Sequence, residues 1–169
     1  MHTASEYWYF AYGSNMNPAR VRERKLPFDL VCPGRLTGFE LSFNKRSGVV
    51  PGAGHANILR RAGAVVEGVL YRLPSAASIE RMDPFERYPI NYTRRLVAID
   101  RPAPSMGREA LRALAWTYFA TPAASADAEE TTLLPETEYL AHLTAGAAFL
   151  TPAYVARLRS QPVHTGNRD

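Results

Sequence analysis

Two stretches of this chain combine residue types that can do chemistry at one point. The first is Phe10-Ala11-Tyr12-Gly13-Ser14-Asn15-Met16, which follows the aromatic run Tyr7-Trp8-Tyr9. That run reads as the end of a buried strand, broken at a glycine flanked by small polar residues. Gly13 lets the backbone turn so that the following N–H groups converge, and Ser14 and Asn15 add a hydroxyl and an amide. Such a turn can hold a carboxylate or a developing oxyanion. It can equally be an ordinary tight turn after a strand. The second stretch is Met82-Asp83-Pro84-Phe85-Glu86-Arg87-Tyr88-Pro89. Here Glu86 is expected just after a helix, in a turn framed by prolines and aromatics. As a surface carboxylate it would pair with Arg87 or another arginine. Walled in by aromatics, it would have a raised pKa and could pass a proton to and fro near neutrality.

Other reactive groups lack partners. Cys32 is the only cysteine, so an intrachain disulfide is excluded, and no histidine signature marks it as a nucleophile. Ser14 is not in a G-x-S-x-G elbow. His2, His55, His142 and His164 show no metal-ligand spacing, so neither a metal nor a cofactor is expected. The net charge of +4 comes mostly from arginine, with Lys25 and Lys45 the only lysines. In Arg20-Val21-Arg22-Glu23-Arg24-Lys25 the cations alternate with an acid and an apolar residue. That reads as a solvated face rather than a nucleic-acid stripe. The N-terminus lacks a signal-peptide pattern, and the uncharged run from Tyr139 to Ala156 holds His142, threonines and Pro152, so no membrane span is expected. The expected setting is the cytoplasm, and the expected partner is a small molecule rather than a nucleic acid or a membrane.

The elements that must position these residues are mostly strands. Residues 1–169 are expected to form a single domain, long enough for a core at 46% apolar and 21% charged residues. Leu36 to Asn44 alternates Phe39, Leu41 and Phe43 against Glu40 and Ser42, the period of a strand. Ser47 to Gly54, with three glycines and a proline, reads as a loop. Ala56 to Arg60 and Ala64 to Leu73 read as two further strands, with Gly68 marking a bulge or a close backbone approach. Thr93 to Ile99 and Leu111 to Phe119 bring the count to five or six. A strand set with so little intervening helix predicts an α+β fold, a small mixed or antiparallel β-barrel with a few flanking helices. Helices are predicted from Ser75 as cap through Met82, over Thr137 to Phe149, and from Thr151-Pro152 to Arg159. Thr121 to Glu136 reads as an exposed linker or lid.

Taken together, these stretches resemble the γ-glutamylcyclotransferase-like family, AIG2-like proteins included. The likeness runs from about Tyr9 to Leu158. It rests on the FAYGSNM string, on Gly52-Ala53-Gly54-His55-Ala56-Asn57-Ile58 followed by Glu67-Gly68-Val69-Leu70-Tyr71, and on Met82-Asp83-Pro84-Phe85-Glu86 with Tyr92-Thr93-Arg94-Arg95. Pro135-Glu136-Thr137-Glu138-Tyr139-Leu140 with Gly146-Ala147 completes it, and the order of the motifs matches. Two departures stand out. Arg87 occupies a position where the family usually has glycine, and the linker before Pro135 carries Asp127, Glu129 and Glu130.

The resemblance implies release of 5-oxoproline from a γ-glutamyl amine or peptide, by attack of the substrate's own α-amine on its γ-carbonyl. Glu86 would be the general acid–base. Gly13, Ser14 and Asn15 would hold the substrate carboxylate or the oxyanion, and Tyr12, Tyr92 and Tyr139 would border the pocket. The competing readings are a non-catalytic small-molecule-binding module on the same scaffold and a related amide-cleaving enzyme that uses water in place of the internal amine.

Overall fold

The computed structural model describes residues 6–102, 111–127 and 133–166. Its centre is a closed barrel of five strands: β1 (Tyr7–Ala11), β2 (Leu30–Arg46), β3 (Gly54–Leu73), β4 (Tyr92–Arg101) and β5 (Leu111–Ala120). The strand order is β1-β3-β2-β4-β5. Every pairing is antiparallel except the closure, where β5 runs parallel to β1 with Trp8 opposite Ala115. Successive strand residues point to opposite faces. Because Trp8, Tyr9, Phe10 and Ala11 are all buried, β1 is covered on both sides. The closed mixed barrel agrees with the architecture expected from the strand pattern.

The two strands predicted on either side of residue 62 are one. Thr37 pairs with Val65 but Phe39 with Arg60, so β3 bulges here, with Gly63 at φ +78° opposite Gly38 at φ +86°. A second bulge between Ser42 and Lys45 brings Lys45 opposite His55. Gly68 marks no bulge, since it pairs in register with Gly34. It marks a close approach instead, because a Cβ there would lie 2.3 Å from the Ala11 carbonyl oxygen and 2.6 Å from the Phe10 ring.

Four α-helices flank the barrel among the described residues: α1 (Pro18–Glu23), α2 (Asp83–Glu86), α3 (Thr137–Thr144) and α4 (Pro152–Arg159). The first was not predicted. It starts as helices often do, with Asn17 Oδ1 accepting from the Ala19 N–H and proline at the first position. The segment after Ser75 is a 3-10 turn over Ala76–Arg81, not an α-helix, and the Ser75 hydroxyl bonds to Ser78 rather than capping the backbone. α3 stops at Thr144, short of Phe149; Gly146 follows, packed against Met16 so closely that a Cβ would meet its carbonyl oxygen at 2.8 Å, and Ala147–Phe149 form a 3-10 turn. α4 forms as predicted, with the Thr151 hydroxyl accepting from the Tyr154 N–H. Ser125 and Leu134 bridge the predicted lid to Lys45 and Ala53. Of the three acids before Pro135, Asp127 is described, while Glu129 and Glu130 lie outside the described residues. No helix among the described residues is long and apolar enough to cross a membrane.

The close approach at residue 68 generates a stability test. Gly68→Ala is expected to destabilise by about 2 kcal/mol, since carbonyl and ring must both give way. Gly48→Ala, in open space, is expected to change stability by less than about 1 kcal/mol. Denaturant unfolding of the two variants reads the difference.

Candidate functional site

The residues from Tyr12 to Asn15 carry the chain from the end of β1 into a single 3-10 turn, Ser14–Met16. Met16 N–H donates to the Gly13 carbonyl at 3.0 Å and Asn17 N–H to that of Ser14 at 3.3 Å. The N–H groups that open such a turn have no partner within it. Gly13 does not serve through a left-handed backbone, since its φ is −112°. What it supplies is room, because a Cβ would sit 3.1 Å from both the Ala56 Cβ and the Tyr139 hydroxyl.

Glu86 is the last residue of α2 rather than lying beyond a helix. Arg87 follows at φ 49°, the left-handed conformation that glycine adopts freely and that costs another residue about 1–2 kcal/mol. Arginine therefore keeps the turn that a glycine would make. α2 is anchored at its start. Arg94 grips Asp83 with two hydrogen bonds of 2.9 and 3.1 Å, and Tyr118 donates to the same carboxylate at 2.6 Å. The Arg94 guanidinium in turn lies over the rings of Trp116 and Tyr88.

The two stretches meet. The Asn15 amide donates to Glu86 Oε1 at 3.1 Å and to the Tyr9 hydroxyl at 2.9 Å, while its own oxygen accepts from Arg24 Nη1 at 2.9 Å. Arg24 Nη1 lies 3.8 Å from Glu86 Oε1, and the two side chains are only 14% and 16% exposed. Burial pushes the Glu86 pKa above the ordinary carboxylate range, against the opposing pull of Arg24, Arg20, Lys45 and the Asn15 amide.

All seven residues singled out from the sequence line one cavity of about 40 Å³: Tyr12, Gly13, Ser14, Asn15, Glu86, Tyr92 and Tyr139. Their parts differ. Asn15 is buried with its side chain committed to protein partners, so it positions Glu86 and leaves only its backbone to face a ligand. Tyr12 and Tyr92 donate their hydroxyl protons to the carbonyls of Tyr118 and Ala56. Tyr139 instead accepts from the Ala56 N–H at 2.9 Å and keeps its proton for another acceptor. Burial raises the pKa of all three, so they stay protonated. The Ser14 hydroxyl bonds to none of the described residues.

The cavity shares Ser14, Glu86, Tyr92 and Tyr139 with an outer chamber of about 410 Å³. Into that chamber α1 turns Arg20 and Arg24, which corrects the reading of residues 20–25 as a solvated face. Sequence reading also passed over Tyr9, Tyr118 and Lys45. The helix signal at Asn17-Pro18 was available and puts Arg20 and Arg24, four residues apart, on one face.

The pattern described as gamma-glutamyl cyclotransferase, AIG2-like, matches residues 9–141. No match was found among curated proteins. Among solved structures, a gamma-glutamyl cyclotransferase superposes with a TM-score of 0.72 at 20% identity, over 98% of this chain and 93% of that one. An uncharacterised human protein gives 0.72 at 22% identity, over 96% and 93%. A yeast gamma-glutamyl cyclotransferase specific to glutathione gives 0.61 at 17%, over 91% and 94%. At these identities the structural likeness speaks for the fold. With its pattern matched across the barrel, the turn after β1 and the α2 segment, the chain belongs to the gamma-glutamyl cyclotransferase, AIG2-like family.

Proposed function

We propose that this protein is an enzyme that releases 5-oxoproline from a γ-glutamyl amine or peptide, with Glu86 as general acid–base. The observation that carries the reading is the buried contact between Asn15 and Glu86, which holds a carboxylate of raised pKa against the turn after β1. Nucleophile and electrophile both belong to the substrate, so the protein's task is to fold the glutamyl chain back on itself. A free α-ammonium has a pKa of about 8 and must lose a proton before attack. Glu86 takes that proton, the α-nitrogen bonds to the γ-carbon, and the tetrahedral oxygen leans on the N–H groups opening the turn. The amide C–N bond then breaks as Glu86 returns the proton to the departing nitrogen, and the second proton of the attacking nitrogen passes to the freed Glu86 carboxylate and on to solvent. The products are 5-oxoproline and a free amine. Tyr139, with its unused proton, is suited to donate to the glutamyl carboxylate. A cytoplasmic setting fits a chain whose only cysteine, Cys32, can form no internal disulfide.

Glu86→Gln tests the assignment. The γ-glutamyl release of 5-oxoproline is expected to fall by about a hundredfold to ten-thousandfold, the usual share of general acid–base catalysis. The folded state raises the Glu86 pKa, so it favours the protonated form, and that contribution is lost as pH rises through the folded pKa. Ionised Glu86 therefore burdens the fold at neutral pH, and Glu86→Gln is expected to unfold at the same or a higher midpoint. A fall in activity with a fall in midpoint would point to damaged folding instead. Silence of the wild type across γ-glutamyl amines and dipeptides, with tight binding, would favour a binding module, and free glutamate as product would favour hydrolysis.

The pH profile offers a separate check. The acid limb of kcat/KM reports Glu86 in the free enzyme. Arg24 favours the ionised form, so Arg24→Gln is expected to move that limb to higher pH. An unmoved limb, or one displaced to lower pH, would detach it from Glu86.

A further inference from the structure

Lys45 lies almost wholly inside the protein, at 5% exposure, yet it has no carboxylate partner and no hydrogen-bond acceptor among the described residues. It sits near the end of β2, and its ammonium stands 5.8 Å from the centroid of the Tyr92 ring on the wall of the outer chamber. Arg20 borders the same chamber, with a buried Nε that has no hydrogen-bond partner among the described residues and an Nη1 held 3.3 Å from His142. Both cations act on His55, stacked on Tyr139, whose pKa falls to about 4, first through burial and then through Lys45 and Arg20. His55 is thus neutral and offers these charges no relief. Arg24 differs from them, being bound to Asn15 and close to Glu86. Glu86, Glu136 and Glu138 also line the chamber, but among the described residues none of them comes within ion-pair distance of Lys45 or Arg20. Burying an ammonium without a counter-ion costs several kcal/mol. Glu86, on the same chamber wall, acts on Lys45 and Arg20 only from beyond ion-pair distance and is itself held by Asn15 and Arg24, so an anion brought by the ligand is the natural close partner for Lys45.

We propose that the outer chamber receives the departing half of the substrate, and that Lys45, assisted by Arg20, selects γ-glutamyl compounds whose leaving amine carries a carboxylate. The inference rests on the cyclotransferase reading above. The inner cavity, with Glu86 and the turn after β1, takes the atoms that close the ring. Whatever is attached to the γ-carbonyl must then extend through the opening bounded by Ser14, Glu86, Tyr92 and Tyr139. An amino acid or peptide leaving group brings its carboxylate into the chamber lined by Lys45. A plain amine brings nothing to meet it, and a cationic one is repelled.

The test compares γ-glutamylalanine with γ-glutamylethylamine, which differ only by the alanine carboxylate. The wild type is expected to favour the alanine compound in kcat/KM by about tenfold to a hundredfold, the range for a charge-assisted hydrogen bond. Lys45→Met, which keeps the apolar stem, is expected to shrink that ratio towards one. Equal wild-type rates would overturn the inference. So would a Lys45→Met variant that slows both compounds in the same proportion, because Lys45 would then serve the shared glutamyl half or the fold. Silence of the wild type towards both compounds would count against the cyclotransferase reading. Calorimetry with the same pair still decides the role of Lys45: tighter binding of the alanine compound, lost in Lys45→Met, supports it, and equal binding overturns it.

Discussion

One hydrogen-bonded junction sets the conditions for everything else at this site: the Asn15 side chain, buried between Tyr9, Arg24 and Glu86. Its amide can satisfy Glu86 only if the turn after β1 and the end of α2 arrive at the same place. The two residues are 71 positions apart in the chain. Burial raises the Glu86 pKa, and Arg24 and the Asn15 amide act in the opposite direction.

Much of the remaining structure keeps that junction in place. Tyr71 on β3 donates to the Asn15 carbonyl at 2.6 Å, so the barrel wall holds the turn's backbone as well as its side chain. Gly68 lets the Ala11 carbonyl settle against β3, and Gly146 lets the end of α3 close over Met16. α2 is tied to β4 and β5 through Asp83, Arg94 and Tyr118. Glu67, by contrast, faces away from the chemistry. It accepts from the Thr151 N–H and hydroxyl and fastens the start of α4 to the barrel. The family motifs thus divide between residues that line the cavity and residues that brace it.

The strands were legible because burial imposes a period of two that composition cannot disguise. β2, β4 and β5 were found with their ends misplaced, and the bulge at Gly63 split β3 in two, since a glycine between apolar runs looks the same whether a strand bends or stops. The seven residues that line the cavity were legible through their motifs, but the difference in their hydrogen bonding was not. Asn15 and Tyr139 differ in which of their hydrogen bonds the protein already satisfies, and that depends on residues brought together only by folding. Arg20 and Arg24 were misread because alternating charge usually marks a solvated face, and the cavity beneath α1 leaves no trace in local sequence. Lys45 was hidden too, because the bulge between Ser42 and Lys45 breaks the alternation that Leu41 and Phe43 set.

The most direct test of the account is a crystal structure of the protein soaked with 5-oxoproline, the product it is proposed to form. The lactam nitrogen should lie within hydrogen-bond reach of the Glu86 carboxyl, about 3 Å, with the carboxylate or lactam oxygen against the N–H groups of residues 13–15. A lactam bound away from this cavity, or a Glu86 side chain released from Asn15 and turned to solvent when the ligand binds, would contradict it.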